Sequence, residues 1–395
     1  MKSRRKIILV IGITVLIFAA LFSLYGYDNT FRLWNVPVMS PHFADIRALT
    51  AGSESYRQGL DPMDKNPADP WGRITNLPRI WHGLYWLELN QSHTALMGGS
   101  FILLFLIGVC LFLPNARNTT ILMVLAAVLS PAVLLGAERG SVDLLMFFLV
   151  SAAIVAAQRS YALSTFAILS GFTLKFFPIF GLAVLLKANR AKFIRYALIA
   201  LIFAGCYIFL TFSDILLIKR HMPECRIGYG MSLYWRILGD VNVNLGRCSK
   251  GLSYLLLMLS SLFAFSALFR KDGLPGREEN EAYLSAFRAG ASIYIGTFLV
   301  TPSFPYRLIF LIFTIPQLTI WAKQIAANIS LISKLTICAI LISMWFLVIS
   351  GLLGRFPWYI SFTIRVISNW LVFGCCMYLL FWSMPKWVKE IVGRK

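Results

Sequence analysis

Glu138, Arg139 and Asp143 occupy a very short turn between two long apolar runs of this chain, Lys175 lies deep inside another, and Arg307 opens a further one just after two prolines. An ionisable side chain at such a place is costly and is retained for a partner or a task. Three more, Asp45, Arg79 and His82, stand in a polar stretch between the first two apolar runs. Together they are one early carboxylate, two well-placed cations and a set of groups able to orient hydroxyls. A carboxylate can take a proton from a hydroxyl nucleophile. Two cations can stabilise a departing phosphate without a metal.

Each residue also has a plainer reading. Asp45 lies in PHFADIRALT, where Phe43 to Gln58 alternate at helical spacing. The spacing predicts a short interfacial helix with Asp45 near its N-terminus, so Asp45 is either a charge that favours the helix dipole or a general base. Downstream runs GLDPMDKNPADPWGRITNLPRIWHGLYWLEL. Pro62, Pro67, Pro70 and Pro78 forbid a long helix there. Trp71, Trp81, Tyr85 and Trp86 are expected as an interfacial belt, with sugar stacking as the sharper alternative. Arg79 and His82 stand among them. Asp61, Asp64 and Asp69 are read as solvated loop acids rather than cation ligands.

In SPAVLLGAERGSVDLLMF, Glu138, Arg139 and Asp143 occupy a very short turn between two apolar segments. Arg139 and Asp143 are four apart, so an internal ion pair is the structural alternative to a site. Lys175, in SGFTLKFFPIF, must snorkel, pair or meet an anion, and Glu138 and Asp143 are the carboxylates expected on its face of the membrane. Arg307, in TPSFPYRLIFLIF, suits a phosphate through bidentate hydrogen bonds, or serves as an interfacial anchor.

The elements that carry these residues follow from composition. The chain has 395 residues, 58% hydrophobic and 14% charged, against about 25% charged in soluble domains. Its mean hydropathy is +0.72. Apolar runs of membrane-crossing length recur from end to end, near 7–25, 95–113, 119–136, 142–157, 161–187, 193–212, 252–269, 285–301, 307–322, 333–353 and 364–383. This predicts one all-α polytopic membrane domain spanning residues 1–395, with no soluble domain of appreciable size and no internal repeat.

The net charge of +20 is not a nucleic-acid footprint. Its basic residues gather at the ends of apolar runs: Lys2, Arg4, Arg5 and Lys6; Lys187, Arg190, Lys192 and Arg195; Arg270, Lys271 and Arg277; Lys386, Lys389, Arg394 and Lys395. That is a positive-inside pattern. It places both termini in the cytoplasm and reads the first run as an uncleaved crossing. Arg159 and the Lys187–Arg195 cluster both belong inside, so 161–187 must enter and return. Its 27 residues are too few for two crossings, and Gly171, Lys175 and Pro178 mark a break. The expectation is about ten full crossings plus this broken-helix hairpin. Two long segments, 26–94 and 213–251, then share the external face, with the first carrying the catalytic acid. Cys225 and Cys248 lie in the second, where a disulfide would form if that face is oxidising. The remaining cysteines are read as packing residues.

The pieces FADIRALTAGSESYRQGLDPM, NLPRIW, LGAERGSVDLL, LKFFP and PSFPYRLIFL, in this order along residues 43–315, resemble the GT-C superfamily of integral-membrane glycosyltransferases, in particular the glycosyltransferase 87 type that uses polyprenyl-phosphate mannose. The resemblance implies an acidic catalytic residue in the first external loop, which Asp45 matches, followed by a G-x-D-P-type turn, which Gly59–Leu60–Asp61–Pro62 fits. It implies a lipid-phosphate sugar donor whose phosphate faces basic residues, at the places of Lys175 and Arg307. The chain departs from the pattern where Leu77 precedes Pro78 and where Glu138 stands in place of a common glutamine.

On this reading the chain transfers mannose or another hexose or pentose to a glycolipid or glycan acceptor. The reaction is inverting and nucleotide-independent, with no cofactor expected and no support in the sequence for a divalent metal, and takes place at the external face of a bacterial-type inner membrane. Asp45 is the base, Arg307 and Lys175 hold the phosphate, and Glu138, Arg139, Asp143, His82 and Arg79 orient substrate. The main rival is a multi-pass transporter or flippase. It is disfavoured because no repeats pair and the charges gather on one face. A non-catalytic assembly factor would not need Lys175 and Arg307 at one mouth.

Overall fold

The computed structural model describes residues 2–113, 116–221, 225–270, 281–324 and 327–392. Among them every regular element is helical, and the single isolated bridge pairs Tyr229 with Ser303. Of the basic residues used to assign sidedness, Lys271, Arg277, Arg394 and Lys395 lie outside the described residues, as do the side chains of Lys2 and Arg4.

The first apolar run forms α1 (Lys2–Tyr25). The polar stretch after it carries α2 (Tyr27–Arg32), α3 (Ala44–Arg57) and a 3-10 segment, Arg79–Leu87, before α4 (Thr94–Phe112). The run expected as one crossing at 119–136 is two helices, α5 (Asn118–Val128) and α6 (Pro131–Arg139), bent by 51°. Ser130 and Pro131 cause the break. Proline starts a helix readily but lacks the N–H needed to continue one, and Ser130 Oγ accepts from the Val133 N–H at 3.4 Å.

Next come α7 (Val142–Ala156) and α8 (Tyr161–Leu174). The chain is extended at Lys175 (φ −161°, ψ 122°) and continues as a 3-10 helix, Phe177–Lys187. The interruption therefore falls at Lys175. The chain goes on through α9 (Arg190–Leu210), α10 (Phe212–Arg220), α11 (Met231–Val241) and α12 (Val243–Ser266). The stretch 213–251 is thus largely helical. α12 begins well before its apolar run because the Asn242 side chain accepts from the N–H groups of Asn244 and Leu245. After α13 (Glu281–Val300) and a 3-10 segment, Pro305–Thr314, the chain ends with α14 (Ile315–Trp321), α15 (Ala327–Met344), α16 (Phe346–Leu352), α17 (Trp358–Trp382) and α18 (Lys386–Val392).

Among the described residues seven helices are long and apolar enough to cross a membrane, or eight if α5 and α6 form one span. The sequence reading of about ten is higher for two physical reasons. At 1.5 Å per residue the 15 residues of α7 reach about 22 Å, short of a hydrocarbon core of about 30 Å. The run at 307–322 starts as a tight 3-10 helix after Pro305 and is interrupted again at Pro316. Both elements are buried in protein. Phe147 of α7 stacks on Phe313 at 4.2 Å, and α13 packs against both 3-10 segments. In contrast α1, α9 and α12 present exposed Leu16, Phe209 and Leu262, which is how lipid-facing helices read. Cys225 is a buried free thiol and Cys248 an exposed one, so the structure holds no bond between them.

The start of α3 is tightly built. Phe43, its N-cap residue, adopts φ 60°, a left-handed conformation that is unusual for a bulky side chain. Its N–H donates to the Glu138 carbonyl at 3.2 Å. Its ring lies where a Cβ on Gly98 would come within 2.7 Å, and a Cβ on Gly140 would meet Ile46 at 2.9 Å. Two glycines thus make room for Phe43 and Ile46 on either side of Asp45. Gly98→Ala should therefore cost roughly 1–3 kcal/mol of stability as an overpacked site. The neighbouring Gly99 faces open space, so Gly99→Ala should be close to neutral. Thermal melts of the two variants in one detergent check this, and equal midpoints would remove the wedge argument.

Candidate functional site

The site is centred on Asp143, in the first turn of α7 and fully buried. Gly140, at φ 60°, closes α6, and Ser141 Oγ accepts from the Asp143 N–H at 3.4 Å, so one tight turn delivers the carboxylate. Its Oδ1 accepts from Lys175 Nζ at 2.5 Å, and its Oδ2 from Arg307 Nε at 3.1 Å. Arg307 Nη1 donates onward to Ser303 Oγ at 3.0 Å. The guanidinium lies 4.6 Å from the centroid of the Phe177 ring, over which Lys175 also stands, at 5.9 Å.

Two cations on one carboxylate leave a net charge of +1. Lys175 and Arg307 each keep donors that Asp143 does not use. Their side chains are about 15% exposed, so they are sheltered but reachable.

Asp45 stands beside this cluster. It is half-buried and makes neither hydrogen bond nor ion pair among the described residues. Burial pushes its carboxyl above the usual range, against the pull of Lys175, Arg139 and Arg73, while Asp143 pushes the same way as burial. Arg73 anchors the same turn. Its Nη2 donates to the Ala44 carbonyl at 2.6 Å and pairs with Asp69 at 2.9 Å. Asp69 is buried, so it is a structural partner and not a solvated loop acid. Asp61 is likewise paired, whereas Asp64 is exposed. Among the described residues no group of acids, cysteines and histidines gathers as a metal site.

The expected Arg139–Asp143 pair does not form. Gly140 ends one helix and Ser141 starts another, so the two residues are not on one helical face. Arg139 instead pairs with Glu138 at 3.1 Å and donates to the Pro37 carbonyl at 3.2 Å. Glu138 is fully buried. Its Oε1 accepts from the Met39 N–H at 2.8 Å, and its backbone carbonyl accepts from Phe43 and from the Tyr27 hydroxyl. These two residues hold the segment 37–43, and through it α3.

Arg79 is bound on both sides, to Asp61 at 2.8 Å and to Asp214 of α10 at 2.7 Å. It ties the first polar segment to the second. His82 is buried against Tyr56, and its Nε2 has no partner among the described residues. Burial holds its imidazole below the ordinary value, so it is neutral near pH 7. Trp81, expected at an interface, is buried and donates its indole N–H to the Leu174 carbonyl at 3.0 Å. That bond fixes the 3-10 segment Arg79–Leu87 to the helix end next to Lys175.

Tyr306 escaped the sequence reading. It is buried on Gly136, stacks on Phe304 at 5.3 Å and lies in the field of Asp45, Asp143 and Arg307. The available signal was its place one residue before Arg307, in a segment too proline-rich to be a simple span. The chain was compared with protein-family models, with curated proteins and with solved structures, and none of them matches.

Proposed function

We propose that this protein transfers a sugar from a polyprenyl-phosphate donor to a glycolipid or glycan acceptor at the external membrane face, with inversion and without a nucleotide. The observation that carries the reading is Asp45: a half-buried carboxylate with no bonded partner among the described residues, set beside a cationic cluster with one positive charge in excess. In this mechanism the acceptor oxygen attacks the anomeric carbon and its proton passes to Asp45. The bond from that carbon to the phosphate oxygen breaks, and the phosphate leaves with the electron pair. The unused donors of Lys175 and Arg307 receive it. Asp143 keeps both cations in place, and His82 with Arg79 shapes the polar wall nearby. The reading takes ten crossings with a 161–187 hairpin, both termini in the cytoplasm and a bacterial-type inner membrane.

The test supplies radiolabelled polyprenyl-phosphate mannose, with other lipid-phosphate sugars in parallel, to membranes containing the protein. Transfer to a lipid or glycan fraction is expected. A second reading, transport or flipping of a polar or lipid-linked substrate, draws on the 51° bend between α5 and α6 and the break at Lys175. It predicts movement of unmodified substrate across proteoliposomes and no new glycosidic bond.

The reading also fixes a pH response. The base must be ionised, and burial has raised its pKa. Transfer should therefore fall as pH is lowered through a midpoint above the usual carboxylate range. Folding stability should run the other way, declining as pH rises through that window, because the folded state binds the extra proton. A pH–rate profile whose acid limb sits at the ordinary carboxylate value would remove Asp45 from the base role.

A further inference from the structure

Between Lys250 and Arg270 the chain carries no charged residue. As helix, that stretch rises about 30 Å, the thickness of a hydrocarbon core, and α12 is one of the helices fit to cross a membrane. Lys250 and Arg270 therefore mark the two levels at which it meets lipid headgroups. At the Lys250 end, α11 folds back antiparallel on the start of α12, and the two touch through glycines: a Cβ on Gly246 would come within 2.6 Å of the Gly239 Cα. With Gly239 opposite Gly246, Arg236 of α11 stands level with the turn from Arg247 to Lys250.

Arg236, Arg247 and Lys250 are exposed and in no ion pair among the described residues, whereas the neighbouring Arg226 is held by Asp240 at 3.1 Å. Below Arg247, Tyr254, Met258 and Leu262 follow on the same helical face, each at least half exposed. Tyr254 stacks at 6.0 Å on Trp235, the residue beside Arg236, and such aromatic pairs belong at a membrane–water interface. Three free cations thus stand at headgroup level above an apolar stripe that faces lipid. On the sidedness read from the sequence this end is external, where lysine and arginine are the less usual anchors, so a cluster of them calls for an anion.

We propose that the α11–α12 hairpin is a docking surface for a negatively charged phospholipid, its headgroup on Arg236, Arg247 and Lys250 and an acyl chain along Tyr254, Met258 and Leu262. The cations meet the phosphate through charge-assisted hydrogen bonds. A zwitterionic lipid fits the stripe equally well but gains less from the cations, so the selectivity lies in net charge. The surface is built on elements other than those carrying Asp45, Asp143, Lys175 and Arg307, and it does not depend on the sugar-transfer reading.

The test uses the purified full chain in a neutral detergent. It is titrated with dioleoyl phosphatidylglycerol and, separately, with dioleoyl phosphatidylcholine, and adducts are followed by native mass spectrometry alongside the thermal midpoint. Tighter, stabilising binding of phosphatidylglycerol is expected, and the preference should fall at least about tenfold when Arg236→Gln, Arg247→Gln and Lys250→Gln are combined. Arg247→Glu alone, one exposed change, should already weaken it and guards against a failure of the triple variant to fold. Arg190→Gln, Lys192→Gln and Arg195→Gln together remove the same charge at the start of α9 and should leave the preference in place. Equal binding of the two lipids, a preference that survives the α11–α12 variants, or one lost as fully in the α9 variant overturns the surface. Tighter binding of a sulfated oligosaccharide, titrated in parallel, would overturn the lipid as its occupant.

Discussion

Asp45→Asn should lower sugar transfer by ~10²–10⁴-fold, the usual contribution of a positioned base, and leave the thermal midpoint unchanged or slightly higher. The pairing of the two results is the informative part. Among the described residues the Asp45 side chain makes no hydrogen bond and no ion pair that the amide would lose. Removing a desolvated charge relieves a cost instead of creating one. A residue kept as a helix-start charge would behave in the opposite way, losing a little stability and no activity. The measurement is transfer from labelled polyprenyl-phosphate sugar in isolated membranes, with a melt of the same preparations. Near-normal turnover in Asp45→Asn would return Asp45 to the helix dipole.

Asp143→Asn is expected to act first on stability. Lys175 and Arg307 are sheltered cations on one buried carboxylate. Neutralising it leaves two charges facing each other with no compensation. Breaking a buried pair from one side costs about 3–5 kcal/mol, and here both bonds go at once. Lys175→Met in the same background removes one of the stranded charges and should recover part of the loss. Denaturation midpoints of the single and double variants, compared as a cycle, give the coupling. Additive effects would mean that the carboxylate and the lysine do not interact as their 2.5 Å separation requires.

Much of this arrangement was legible in the sequence because it rests on local signals. The helix Ala44–Arg57 follows from spacing between Phe43 and Gln58, and the break at Lys175 follows from a basic loop on each side of a run too short to cross twice. Long-range partners were not legible. Lys175 was expected to meet Glu138 or Asp143, and only the turn at Gly140 decides that Asp143 faces it while Glu138 turns to Met39. Asp69 was read as solvated because no local signal announces Arg73 and the Ala44 carbonyl folding over it. The expected count of about ten spans exceeds the seven or eight helices of crossing length among the described residues for a related reason. Hydropathy alone does not distinguish a helix facing lipid from a short apolar one enclosed by protein, which is what α7 and the segment Pro305–Thr314 are.

The Asp143 cluster also bears on how the chain is made. Lys175 follows Asp143 by 32 residues, and Arg307 follows it by 164. At roughly 5–20 residues per second of synthesis, the aspartate and lysine have roughly 7–26 s in each other's company before the arginine exists. What enters the bilayer early is an acid with a base, a neutral couple. The positive excess that the finished protein displays is added last, when most of the surrounding helices have already been delivered to shield it.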